Sequence, residues 1–63
     1  EPNANKILEE MRKHNGYLSL HDGSDPQDIY EQLGMSKKTF KKAIGLLYKQ
    51  KLIVMEEAGI RLI

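Results

Sequence analysis

Six lysines, Lys37, Lys38, Lys41, Lys42, Lys49 and Lys51, fall between Met35 and Met55, a stretch of 21 residues that holds no acid. Ammonium groups repeated without carboxylates to neutralise them make a surface for a polyanion, with phosphate oxygens as the natural acceptors. Lysine is a point charge on a flexible stem. Reading guanine typically uses the planar fork of arginine, and reading adenine an amide. The helix expected here has no Arg, and Thr39 and Gln50 are its neutral polar side chains near the ends. The chemistry expected is therefore loose phosphate contact, with little support for reading bases.

The rest of the chain has the opposite charge. Residues 1–34 carry seven acids against three bases, a net −4, whereas residues 35–55 carry +6, so the overall +1 conceals a division. His14 and His21 flank a turn, and with Asp22 they contain metal-ligand and proton-transfer types, but two histidines without a third ligand are read as helix-end and surface residues. Ser19, His21 and Asp22 include triad types without triad geometry, and there is no nucleophile elbow or glycine-rich phosphate loop. Glu9, Glu10, Asp25 and Asp28 are read as helix-surface and first-turn charges. No catalytic, cofactor or metal residue is assigned. The expectation is a binding module, not an enzyme.

The elements that must carry these lysines are set by 63 residues with no Cys and two His. Neither a disulfide framework nor a zinc-finger ligand set is available, so apolar packing alone must hold the core. The apolar runs are far shorter than the roughly 20 residues that span a bilayer. A cytoplasmic setting without membrane or small-molecule partners is expected. Ala4, Ile7, Leu8 and Met11 have helical spacing, with Asn3 or Asn5 as the expected cap and Asn15-Gly16 as a left-handed stop. Tyr17-Leu18-Ser19-Leu20 alternates as a short strand before the turn residues His21 to Ser24. Asp25 then caps a helix with Pro26 in its first position, Ile29, Tyr30 and Leu33 facing inward, and Gly34 as its end.

Ser36 caps a third helix, Lys37 to about Gln50, so two helices cross through a three- to four-residue turn: a helix-turn-helix. Leu52 to Met55 and Ile60 to Ile63 then form a hairpin around Glu56-Glu57-Ala58-Gly59. A strand pairing with that hairpin closes the helical core. The expected fold is α+β, a winged helix-turn-helix of three helices and a small three-stranded antiparallel sheet. On a helical wheel with Phe40 at the origin, Ala43, Ile44 and Leu47 face the core, with Tyr48 on the flank. Lys38, Lys42, Gly45 and Lys49 lie opposite, and Lys37 and Lys41 stand toward one margin. Gly45 offers a place for close backbone approach, but is read first as a glycine tolerated for packing.

Two features set limits. Glu56 and Glu57 lie at the wing tip, offset by Arg61 alone, which counts against a strong duplex grip. For single strands, Phe40 and Tyr30 are needed inside, and Tyr17 and Tyr48 are read as rim-of-core residues, leaving no evident stacking platform.

The run from Asp25 to Tyr48, most specifically Ile29-Tyr30, Leu33-Gly34-Met35-Ser36-Lys37-Lys38 and Phe40-Lys41-Lys42-Ala43-Ile44-Gly45, resembles the C-terminal winged-helix domain of the conserved virulence factor B family of bacterial RNA-binding proteins. The likeness extends to Ile7-Leu8, Gly16-Tyr17-Leu18 and Gly59-Ile60-Arg61-Leu62. The resemblance implies a cytoplasmic regulator of gene expression in which several OB-fold RNA-binding modules precede this domain. Residues 1–63 would then be the single C-terminal domain of a longer protein. The nucleic-acid surface expected is Lys37, Lys38, Lys41, Lys42 and Lys49, with RNA rather than DNA as partner. The alternative is a protein-interaction or interdomain packing module, favoured by any apolar patch at Leu46, Tyr48 and the outer wing.

Overall fold

Ala4, Ile7 and Met11 are buried along one stripe of helix α1, which spans Pro2–Lys13 in the computed structural model. The structure describes residues 2–63; Glu1, one of the seven acids counted above, lies outside them. Neither Asn3 nor Asn5 caps this helix, because both lie within its first turns. Pro2 starts it earlier: a first helical residue needs no N–H, and proline's fixed φ already suits the helix. The stop is as expected, with Asn15 at φ 60° and Gly16 at φ 84°. The Gly16 N–H donates to the Met11 carbonyl at 2.7 Å, satisfying one of the helix's terminal acceptors.

Strand β1 covers only Tyr17–Leu18, shorter than the alternating run through Leu20. Leu20 is still buried, but the backbone leaves the sheet as the His21 N–H turns to the Ser24 hydroxyl at 2.9 Å. Helix α2, Pro26–Leu33, begins where the Asp25 carboxylate accepts the Gln27 N–H at 2.8 Å. It ends at Gly34, which at φ 68° donates its N–H to the Tyr30 carbonyl at 2.7 Å. Ile29 and Leu33 face inward as expected, but Tyr30 is 65% exposed. One apolar row four residues apart is all that this eight-residue helix buries, and Tyr30 stands about 100° around from Ile29.

Helix α3, Lys37–Lys49, starts where the Ser36 hydroxyl accepts the Thr39 N–H at 3.2 Å. Between α2 and α3, Met35 turns into the core and pins the helix-turn-helix corner. Phe40, Ala43, Ile44 and Leu47 form the buried face of α3, each at most 2% exposed. The end of α3 has an unusual occupant. Lys51 stands at φ 61°, its N–H donating to the Tyr48 carbonyl while the Leu52 N–H donates to Leu47, each at 3.0 Å. This is a Schellman closure with lysine where glycine is usual.

Strands β2, Ile53–Met55, and β3, Ile60–Leu62, complete an antiparallel sheet in the order β1-β3-β2. Leu18 pairs with Ile60, and Ile60 with Met55. The sheet turns Leu18, Ile53 and Ile60 onto the apolar faces of the helices, giving one core. Among the described residues no polar or charged side chain is buried. The stability of the molecule therefore rests on apolar burial, worth about 1.5–3 kcal/mol for a side chain such as Phe40. The fold is the α+β winged helix-turn-helix expected. Gly59 fits where no other residue would: a Cβ there would fall onto the Leu18 carbonyl oxygen and lie 2.6 Å from the Tyr17 hydroxyl.

Candidate nucleic-acid interface

Because α3 buries one face through Phe40, Ile44 and Leu47, its helical period pushes the intervening lysines outward. Lys38, Lys41, Lys42 and Lys49 are exposed, whereas Lys37, in the first turn on the margin beside Ile44, is half-buried. From Lys38 to Lys49 the ridge runs about 16 Å along the helix axis. Among the described residues the ion pairs engage Lys13, His14 and Arg61, and none draws in a lysine of α3. No carboxylate is paired with the ridge among the described residues. Gly45 departs from its packing explanation: a Cβ there would meet no atom within 4 Å. No neighbouring side chain dictates the glycine, and it leaves a low point in the cationic surface.

The wing carries no such charge. Arg61 donates from Nε to Glu56 Oε2 at 3.0 Å, and its guanidinium lies 4.8 Å over the Tyr17 ring. The hydrogen bond to Glu56, and then that carboxylate's charge, hold the Arg61 pKa above the ordinary arginine value. The pairing of Tyr17 with Arg61 across β1 and β3 places ring and guanidinium on one side of the sheet. Arg61 is thereby committed within the wing.

Tyr48 is 56% exposed on the last turn of α3, not the rim-of-core residue expected. Leu46 is half-buried, while Leu52, Val54, Met55 and Ile63 are exposed. The two histidines are held separately: His14 Nε2 lies 3.8 Å from Glu10, and His21 Nδ1 accepts the Gly23 N–H at 3.0 Å. Among the described residues no group of three acids or histidines is placed to hold a metal, and no helix is long and apolar enough to cross a membrane.

The helix-turn-helix, its capped α3 and its paired wing together match a family model, the CvfB-like winged helix domain, over residues 5–62. The chain belongs to this family. It is similar to the conserved virulence factor B of Staphylococcus aureus strains USA300 and NCTC 8325, 45% identical over 56 residues to each. That match covers 89% of this chain and 19% of the relative. The fold is also that of part of a multidomain protein with nucleic acid binding domains from Streptococcus pneumoniae, at TM-score 0.95 and 40% identity over all of this chain and 22% of that one. The chain thus spans about a fifth of the length of the relatives it matches. Within the CvfB-like family frame, the features that the sequence did not reveal are Tyr48, Lys51 and the Glu56–Arg61–Tyr17 cluster. The acid-free stretch showed Lys51 as charge, but nothing in spacing alone placed it with Tyr48 in one groove.

Proposed function

We propose that this winged helix is a nucleic-acid-binding accessory domain, with RNA rather than DNA as its partner, and that Lys37, Lys38, Lys41, Lys42 and Lys49 supply its phosphate contacts. The observation that carries this reading is the exposed lysine ridge of α3, with no ion pair to neutralise it among the described residues. The likeness to a multidomain protein with nucleic acid binding domains supports it. The domain is the C-terminal part of a longer cytoplasmic regulator of gene expression, preceded by OB-fold modules. There it adds a nonspecific contact that gains from tethering. Its contact alone is weak, and each lysine engaged should steepen the salt dependence by about one unit of the logarithmic slope.

Titration of labelled RNA and duplex DNA at low and moderate salt tests this reading, repeated with the longer protein with and without residues 1–63. Salt-sensitive binding that falls when Lys38, Lys42 and Lys49 are neutralised is expected. Binding of the longer protein that ignores both the domain and these lysines would refute it.

One observation favours a second reading, an interdomain packing module: Leu52 and Met55 leave apolar surface exposed on the wing. Shift mapping against the other modules would then move the wing and α1 and leave the ridge silent.

A further inference from the structure

Where α3 runs into β2, an open groove of about 400 Å³ is lined by Tyr48, Lys49, Lys51, Ile53, Val54 and Ile63. Its size lies within the range of ligand sites, about 300–1,000 Å³. Tyr48 and Ile63 are respectively 56% and 76% exposed, so both are open to solvent. The lining holds two cations and no acid. Lys49 belongs to the ridge as well, so the groove continues the cationic surface past the end of the helix.

We propose that this groove holds an unpaired nucleotide, its base stacked on Tyr48 and its flanking phosphates met by Lys49 and Lys51. The proposal rests on the nucleic-acid reading above and narrows its substrate class to single strands. A base in a duplex has its faces covered by its neighbours and can offer a protein phosphates and groove edges but no face to stack on. An unpaired base can lay its face on an aromatic ring whatever its identity.

Charge and packing single out Tyr48 among the aromatic residues. Phe40 is buried, and Tyr17 has Arg61 over its ring. Tyr30 is more exposed than Tyr48, but it stands on α2 beside Asp28 and Glu31, in a helix with no base to hold a phosphate. Tyr48 alone combines an open ring with adjacent free cations. The backbone supplies a second argument. A lysine at φ 61° occupies the left-handed position at the end of α3, where glycine would be less strained, and that lysine lines the groove. The wing adds a third, since with Arg61 held by Glu56 it offers a duplex no free cation.

The test is titration of the 63-residue chain with a labelled single-stranded RNA of mixed sequence and with the same RNA annealed to its complement, at low salt, with circular dichroism to confirm folding. Tyr48→Ala is expected to weaken single-strand binding at least about fivefold and to leave duplex binding nearly unchanged. Tyr48→Phe should bind as the parent does, since it retains the ring. Tyr30→Ala, the matched exposed tyrosine, should have no effect. In the unaltered chain the single strand should shift the NMR signals of Tyr48, Val54 and Ile63, which keeps the proposal open to refutation even if Tyr48→Ala fails to fold.

Single-strand binding that survives Tyr48→Ala yet falls when Lys38 and Lys42 are neutralised would overturn the groove and leave the lysine ridge standing. Salt-sensitive binding to neither form would overturn the groove, and the ridge would fall with it once the longer protein's binding also ignored the domain. Shifts at Tyr48, Val54 and Ile63 that follow protein concentration, with RNA leaving them unmoved, would assign the groove to a second copy and refute the nucleotide.

Discussion

The Arg61 guanidinium lies 4.8 Å over the Tyr17 ring while Glu56 holds its Nε at 3.0 Å, so the one cation of the wing is occupied on two sides. The relationship explains how a winged helix can have a strongly basic helix and a nearly inert wing. Glu56→Gln removes the carboxylate and frees that charge. Affinity for a polyanion at low salt should then rise about twofold, with a steeper salt dependence, while the melting temperature hardly moves, because exposed ion pairs contribute little. A base whose pKa is raised on folding contributes fully below its unfolded value and loses that contribution only as pH climbs through the raised one. For Arg61 both lie far above neutrality. Its Nε resonance should therefore stay fixed across the neutral range in the parent chain and move only on the Glu56→Gln exchange.

Gly59 permits the wing to close over β1. Gly59→Ala drives a methyl into the Leu18 carbonyl oxygen, which is backbone and cannot swing aside. A loss of about 1–3 kcal/mol in urea unfolding is expected, with the largest amide shifts at Tyr17, Leu18 and Ile60. A neutral outcome would mean that the β2–β3 turn can move away from β1 at little cost.

Neutralising the ridge should separate stability from binding. Lys38 and Lys42 are one helical turn apart, a like-charge spacing that costs a helix about 0.2–0.5 kcal/mol. The triple exchange Lys38→Gln, Lys42→Gln and Lys49→Gln is expected to leave thermal stability unchanged or slightly higher. RNA binding by the same variant should weaken and lose about three units of salt slope.

Gly45 offers a converse test. A methyl at this position meets nothing, so Gly45→Ala should stabilise α3 by about 1 kcal/mol and raise the melting temperature by several degrees for a domain this small. Weaker RNA binding by the more stable variant would identify the glycine as a point of close backbone approach; unchanged binding would leave it as an unforced loss of stability.

The elements were legible in the sequence because their ends are written in local chemistry. Asp25-Pro26, Gly34, Ser36 and Asn15-Gly16 act within five residues of themselves, so their roles follow without knowledge of the rest of the chain. The buried face of α3 was legible because Phe40, Ile44 and Leu47 recur at the helical period. What lies opposite an element was not. A wheel gives the direction of Tyr30 and Tyr48 but not how wide a stripe the neighbours cover, and both proved open to solvent. The half-burial of Lys37 has the same origin. Glu56, Arg61 and Tyr17 meet only through strand register, with Tyr17 more than forty residues away from Arg61 in sequence. The start of α1 was misplaced because Asn3 and Asn5 are good caps and Pro2 is a better first residue.

The sheet order β1-β3-β2 places the strand that comes last of the three in sequence between the other two. As the chain emerges from the ribosome, all three helices are complete while β1 and β2 still lack the neighbour that joins them. Until Ile60 leaves the exit tunnel, Leu18 and Ile53 have no shared edge to close against, and the nascent domain carries an open apolar flank. Closure of the sheet therefore waits on β3, so a chain cut before Ile60 would leave Leu18 and Ile53 without their common neighbour.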